Sequence, residues 1–209
     1  MRLPRFRRKQ GKGDEQMNRP YEKRWNAKKA GGFSLIELLL VLAIIAALAV
    51  AAFIVYPRLQ AGRSADYEIK VLTAAQAGVR ALFTSGNYTH LSNEVAQNAD
   101  LFPKDMNIST GQIRNQWGGW VSILPAEHGG SNRYFKIDYT GVPTDVCIRL
   151  VGAAVKNFGR VDVSTQDWED GSTVRNIYPG RPIFELDEAK VATKCRGTNG
   201  KANIVFISD

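Results

Sequence analysis

Cysteine and histidine are scarce in this chain of 209 residues. It holds two cysteines, Cys147 and Cys195, and two histidines, His90 and His128. A structural zinc site needs about four such ligands together, and both histidines lie in polar surroundings far from the cysteines in sequence. The sequence therefore predicts no metal site and no cofactor. If the body of the protein lies outside the cytoplasm, we expect the two cysteines to form one disulfide.

The body of the chain also lacks an excess of charge of either sign. The formal net charge is +8, but residues 1–32 hold 11 Lys/Arg and 3 Asp/Glu, whereas the remaining 177 residues hold 17 of each sign. A neutral body offers no electrostatic surface for a phosphate backbone. The basic residues of the tail are explained as a topology signal for the apolar segment that follows them. We therefore predict no nucleic-acid partner.

Charge is absent altogether from residues 38–56, which are 19 consecutive apolar residues. A helix of that length is about 28 Å long, close to the thickness of the hydrocarbon core of a bilayer. No polar stripe interrupts it, as a helix of a soluble core would show. The sequence thus predicts a membrane helix. The basic residues before it predict that the N-terminus stays in the cytoplasm and that the chain after Tyr56 crosses to the other side.

Two positions for cleavage compete at this segment. Ala49-Val50-Ala51 fits a secretory cleavage site loosely and would release a chain that begins at Ala52. That new terminus would still be apolar through Tyr56. The alternative position precedes the apolar run, within Gly31-Gly32-Phe33-Ser34-Leu35-Ile36-Glu37.

The second position resembles the processing motif of type IV prepilins: a glycine, a hydrophobic residue, and a glutamate five places after the glycine. The resemblance implies that a prepilin peptidase cleaves between Gly32 and Phe33 and N-methylates Phe33. It also implies an assembly role for Glu37, which would pair with the N-terminal amine of a neighbouring subunit. A carboxylate in a membrane segment is costly and therefore calls for a use; the alternative is that Glu37 only marks the end of the span.

An amphipathic helix is predicted to continue beyond Pro57, which should kink or weaken it. Ile69, Leu72, Val79 and Phe83 share one stripe with Ala75 between them, while Asp66, Glu68, Lys70 and Arg80 lie mostly elsewhere. The helix should end near residues 85–87.

Residues 86–118 are predicted to form a connecting region with short helical pieces. Strands are predicted at residues 120–124, 134–139 (closed by Gly141), 160–163 and 203–208, and helices at 143–158 and 187–194. The apolar run 203–208 suggests a central strand.

The C-terminal half is similar to type IVb pilins of the PilS-like branch. Residues 144–151 resemble the helix that carries the first cysteine, Lys194-Cys195-Arg196-Gly197 resembles the second cysteine, and Asn115-Gln116-Trp117-Gly118-Gly119 resembles the start of the sheet. The resemblance implies a Cys147–Cys195 disulfide that bounds a region exposed on the fibre. It implies an α+β pilin fold, with a long N-terminal helix on an antiparallel sheet.

The predicted organisation has three parts. Residues 1–32 form a leader, 33–56 a membrane and assembly helix, and 57–209 a globular domain, subdivided into an amphipathic helix (57–84), a connecting loop (85–118) and a sheet with the disulfide region (119–209). The start of translation stays open between Met1 and Met17.

The resemblance implies a structural subunit of a type IV pilus. Its partners would be further copies of itself, prepilin peptidase and the assembly machinery of the inner membrane. The precursor would lie in the inner membrane with its C-terminal domain in the periplasm, and the mature form in an extracellular fibre. A minor pilin or a type II secretion pseudopilin is the alternative. No nucleophile–base pair stands out, so no enzyme is predicted, and the acidic residues Asp167, Glu169 and Asp170 have no calcium-ligand spacing.

Overall fold

The computed structural model describes residues 32–128, 131–165 and 172–209, and within them it contains four α-helices and seven β-strands. The chain divides into two compact units, residues 1–45 and 46–209. The predicted leader lies almost wholly outside the described residues. The helices are α1 (Leu35–Leu82), α2 (Asn93–Asn98), α3 (Thr144–Ala154) and α4 (Glu188–Lys194). The strands are β1 (Asn107–Ser109), β2 (Gln112–Arg114), β3 (Trp120–His128), β4 (Ser131–Pro143), β5 (Arg160–Ser164), β6 (Thr173–Asn176) and β7 (Lys201–Ser208).

Helix α1 is 48 residues long and confirms the predicted long helix. It continues through Pro57 without a break, so the proline does not end it. After Pro57 the helix is amphipathic, and Leu72, Ala75 and Val79 are fully buried on its inner stripe. Ile69 and Phe83 pack at the edge of the same core. The helix ends at Leu82, a few residues before the predicted stop.

All neighbouring strands pair antiparallel in one sheet, in the order β1-β2-β3-β4-β7-β5-β6. The last strand of the chain, β7, therefore lies between β4 and β5. This confirms the central strand predicted from its apolar run. Ile204 and Phe206 of β7 face the core together with Phe135, Ile137 and Tyr139 of β4, and all five are fully buried.

The connecting segment is more structured than predicted. Besides α2 and a short 3₁₀ helix at Lys104–Met106 it contains β1 and β2, so the sheet begins at Asn107 and not at residue 119. Strand β6 was not predicted either. Gly141 does not close β4, which continues to Pro143 with an irregular register between Tyr139 and Val142. Gly141 has a φ of +68° there, which a residue without a side chain adopts at little cost.

Helix α3 is shorter than the predicted helix 143–158 and buries a different face. The predicted apolar side contained Val146, Leu150, Ala153 and Val155. The buried residues are instead Val146, Cys147, Leu150, Val151 and Ala154. Cys147 lies on this buried side and is bonded to Cys195, which directly follows α4.

Candidate functional site: the assembly helix and its anchorage

The predicted processing motif stands at the beginning of α1. Gly32 and Phe33 precede the helix and are exposed. The first turn is closed by the Leu38 amide, which donates to the Ser34 carbonyl at 3.1 Å. Glu37 lies in this first turn, where a negative charge is favoured by the helix dipole. Ser34 and Glu37 also have the spacing of a capping box. Two uses for Glu37 are therefore open: capping its own helix, or binding a positive group on another molecule.

Apolar side chains cover the whole circumference of α1 from Leu38 to Tyr56. The exposed fraction is 77% for Leu35, 65% for Leu48 and 80% for Phe53. The described part of the chain contains one helix long and apolar enough to cross a membrane, by length and composition, and it is this one. An apolar surface of this size is not stable in water, so it has to be covered by lipid or by protein.

The two cysteines form the predicted disulfide. Cys147 lies in the first half of α3 and Cys195 directly follows α4, with 5.6 Å between their Cα atoms. Both are fully buried. The bridge closes the chain segment that contains β5, β6 and α4.

Glu68 occupies a position that the sequence did not predict. The helical stripe placed it mostly on the polar side, but the structure buries it completely between α1 and the sheet. The Tyr139 hydroxyl donates to Glu68 Oε2 at 3.0 Å, and Gln116 Nε2 donates to Glu68 Oε1 at 3.2 Å. Burial raises the pKa of the Glu68 carboxyl, and the two hydrogen bonds offset part of that rise. A buried acid with two neutral donors thus ties α1 to β4 and to the loop before β3.

We expect Glu68→Gln to remove a pH dependence of stability. A carboxyl whose pKa is raised in the folded state favours folding most below its ordinary value of 4.5 and loses that contribution as the pH rises through the folded-state pKa. Each unit of the rise corresponds to about 1.4 kcal/mol in the free energy of unfolding. The full chain in detergent should therefore become less stable as the pH rises from 4.5 through the raised pKa of Glu68, and the glutamine variant should lose this slope. Thermal unfolding across that range measures it.

Glu127→Gln is the matched control, because Glu127 is exposed. It should keep the pH slope of the parent chain. Equal slopes in the parent and the Glu68→Gln variant would contradict the prediction.

Within residues 32–128, 131–165 and 172–209, no three His, Cys, Asp or Glu side chains are grouped to hold a metal ion. Asp167, Glu169 and Asp170 lie outside the described residues, as does the side chain of His128. His90 is exposed on the segment before α2.

The long N-terminal helix, the antiparallel sheet and the disulfide-bounded C-terminal region define the chain as a type IV pilin. Its fold is similar to the solved structure of TcpA, a type IV pilin from Vibrio cholerae El Tor biotype, with a TM-score of 0.51 and 16% identity. That similarity covers 70% of this chain and 99% of the solved one.

The chain belongs to the family described as PilS N terminal, whose profile matches residues 63–209. Residues 27–53 match the prokaryotic N-terminal methylation motif. Two relatives, from Escherichia coli O111:H- and from Escherichia coli O127:H6 (strain E2348/69 / EPEC), are each described as the major structural subunit of bundle-forming pilus. Each is 22% identical over 196 residues, which cover 91% of this chain and 96% of the relative. The predicted recognition as a PilS-like type IV pilin is confirmed.

Proposed function

We propose that this pilin is made as a membrane precursor, is cleaved after Gly32, is N-methylated at Phe33, and is polymerised through α1 into an extracellular type IV pilus as its major subunit. The observation that carries the proposal is the methylation motif over residues 27–53, at the start of a helix whose apolar run at residues 38–56 is exposed. In a fibre, many copies of such a helix can pack against one another, which removes their apolar surface from water without lipid.

The orientation of the precursor follows from the charge of the tail. The basic residues of 1–32 keep the N-terminus in the cytoplasm, which places the bond after Gly32 on the side where prepilin peptidase acts and the globular domain in the periplasm. The assembly machinery of the inner membrane then has to transfer α1 from lipid into the fibre. No catalytic role is assigned to the chain.

Glu37 is the side chain that would set the position of one α1 helix relative to the α1 helix of its neighbour in the fibre. It is followed by an uncharged run through Tyr56, so in a fibre core it would be surrounded by apolar surface. A carboxylate there needs a positive partner. The amine of Phe33 on a neighbouring subunit, which cleavage creates, supplies one.

A minor pilin or a type II secretion pseudopilin is the alternative function. These classes share the methylation motif and the long helix. The Cys147–Cys195 disulfide and the two relatives described as major subunits favour a major pilin. The amount of this chain relative to other pilins in sheared fibres distinguishes the alternatives.

Mass spectrometry of material sheared from cells should find a mature chain that begins with N-methylated Phe33. The physical reason is that removing the basic leader is what allows the N-terminal end of α1 to leave the membrane surface. A chain that begins at Ala52 would contradict the proposal, because secretory cleavage would discard Glu37 together with most of the apolar run. An unprocessed chain confined to the membrane fraction would also contradict it.

A further inference from the structure

An apolar groove of about 550 Å³ lies in the unit formed by residues 46–209, on the part of α1 that directly follows the apolar run. Its polar lining comes from Gln60, Ser64, Thr144 and the exposed Asp145. Its remaining walls are mostly apolar and come from α1, from the loop before β3 and from the end of β4 with the start of α3: Tyr56, Pro57, Ala61, Trp117, Pro143 and Val146.

The wall that carries Trp117 is held in a fixed conformation by Asn115. Asn115 is buried, and its Oδ1 accepts from the backbone amides of Trp117 at 3.1 Å and Gly119 at 2.9 Å. Its Nδ2 donates to the Thr140 carbonyl of β4 at 2.9 Å. All side-chain polar atoms of this asparagine are thus used to shape the loop and to fasten it to the sheet, so Trp117 is presented by a preorganised turn.

Gln116 and Gly119 fasten the same loop on its two sides. Gln116 Nε2 donates to Glu68 Oε1 at 3.2 Å and to the Ser64 carbonyl at 3.3 Å, which ties the loop to α1. Gly119 lies so close to the sheet that an added Cβ would be 1.7 Å from the Thr140 carbonyl oxygen. The segment Asn115-Gln116-Trp117-Gly118-Gly119 is therefore built to hold one half-buried aromatic ring above the helix.

The position and chemistry of the groove indicate what covers it. It is continuous with the exposed apolar surface of α1, since Tyr56 in its wall is 68% exposed and the nearby Leu59 is 59% exposed. It begins where the apolar run ends and polar residues such as Gln60 appear, so it lies beyond the part of α1 that lipid covers. A ligand that fits has to be mostly apolar, has to lack negative charge because Asp145 lines the groove, and has to be present outside the bilayer.

Residues 38–56 of a second copy have these properties, because they carry no charged side chain and form a helix whose apolar side chains are exposed. Resting on the function proposed above, we propose that the Trp117 groove is a docking site for the apolar part of α1 of a neighbouring subunit in the fibre. The contact joins the base of one globular domain to the assembly helix of another. It provides a side-chain contact between subunits in addition to the packing of helix against helix.

A photo-crosslinking experiment on whole fibres tests this contact. p-Benzoylphenylalanine is placed at position 117 of the full-length precursor in cells, sheared fibres are irradiated, and dissociated subunits are separated by denaturing electrophoresis. We expect a covalent dimer whose cross-linked peptide, found by mass spectrometry, comes from residues 33–56 of the partner. The control places the same residue at position 120, since Trp120 is an exposed aromatic outside the groove. It should give no adduct with that peptide.

The outcomes distinguish a failure of the proposed docking site from a failure of the proposed pilus function. Fibres that contain the chain but give no dimer at position 117, or a dimer through another peptide, would overturn the docking site and leave the pilus function standing. Absence of the parent chain from sheared fibres would overturn both. If the probe at position 117 prevents incorporation into fibres, the probe at Thr144, which also lines the groove, decides by the same criterion.

Discussion

Replacing Glu37 by alanine is expected to reduce surface fibres to background while leaving the precursor inserted and cleaved. Cleavage requires the Gly32–Phe33 bond, and insertion requires the apolar run, and the substitution changes neither. Assembly would lose the carboxylate that we propose to bind the amine of the next subunit. That amine would then be buried without a partner in the fibre core, which is strongly unfavourable. Electron microscopy of cells that express the variant as their sole pilin, with immunoblots for cleavage, measures the effect.

Glu37→Gln separates the two possible uses of this side chain. Glutamine preserves the capping-box pattern with Ser34 but removes the charge. If Glu37 only caps its own helix, the glutamine variant should assemble like the parent chain. We expect it instead to fail as the alanine variant does. Normal fibres from the cleaved glutamine variant would show that charge pairing at Glu37 is not required.

The elements that the sequence predicted well are those whose signal is local and repeated. In α1 the uncharged run and the stripe through Leu72, Ala75 and Val79 extend over many turns. Both the apolar part and the amphipathic part of the helix can therefore be predicted from the sequence. The same holds for β7, where an uninterrupted apolar run requires cover on both faces.

The elements that were missed are short and depend on their neighbours. Strand β2 has three residues, of which only Ile113 is buried, and β1 next to it has none buried. Such segments have no periodicity to detect. They are strands because β3 and β2 offer free backbone groups along their edges, which is a property of the assembled sheet.

Glu68 shows the same limit at a single side chain. Its partners Tyr139 and Gln116 are 71 and 48 residues away, so nothing near it in the sequence distinguishes it from an exposed carboxylate. The predicted assembly residues differ in this respect. Gly32, Phe33 and Glu37 belong to one continuous motif, which is why the sequence could predict them. Their proposed roles concern a partner that a single chain does not contain.

The disulfide holds together a part of the sheet that otherwise depends on the last strand. Strand β5 pairs with β7 and β6, and β7 is the strand that connects this pair to β4. Until β7 is inserted, β5 and β6 have no hydrogen-bonded link to the rest of the sheet. Cys147 lies on α3, which directly follows β4, and Cys195 precedes β7. The bridge therefore holds β5 and β6 near β4, so that β7 can pair between β4 and β5.

We expect the double variant Cys147→Ala/Cys195→Ala to be less stable than the parent chain by about 4 kcal/mol, by the chain-entropy argument for a bridge of this span. Since folded domains are stable by only about 5–15 kcal/mol, most of the precursor should be degraded and few fibres should form. Urea unfolding of the full chain in detergent measures the loss. Both cysteines are replaced so that no unpaired thiol remains to form bonds between chains.

The parent chain treated with a reductant is the control for this variant. It keeps both buried sulfur atoms but lacks the covalent link, so a loss of the same size identifies the link as the source of the stability. A loss confined to the alanine variant would instead point to the packing of the sulfur atoms in the core, where Cys147 and Cys195 are fully buried. A double variant with the stability of the parent chain would mean that β7 holds β5 and β6 in place without the bridge.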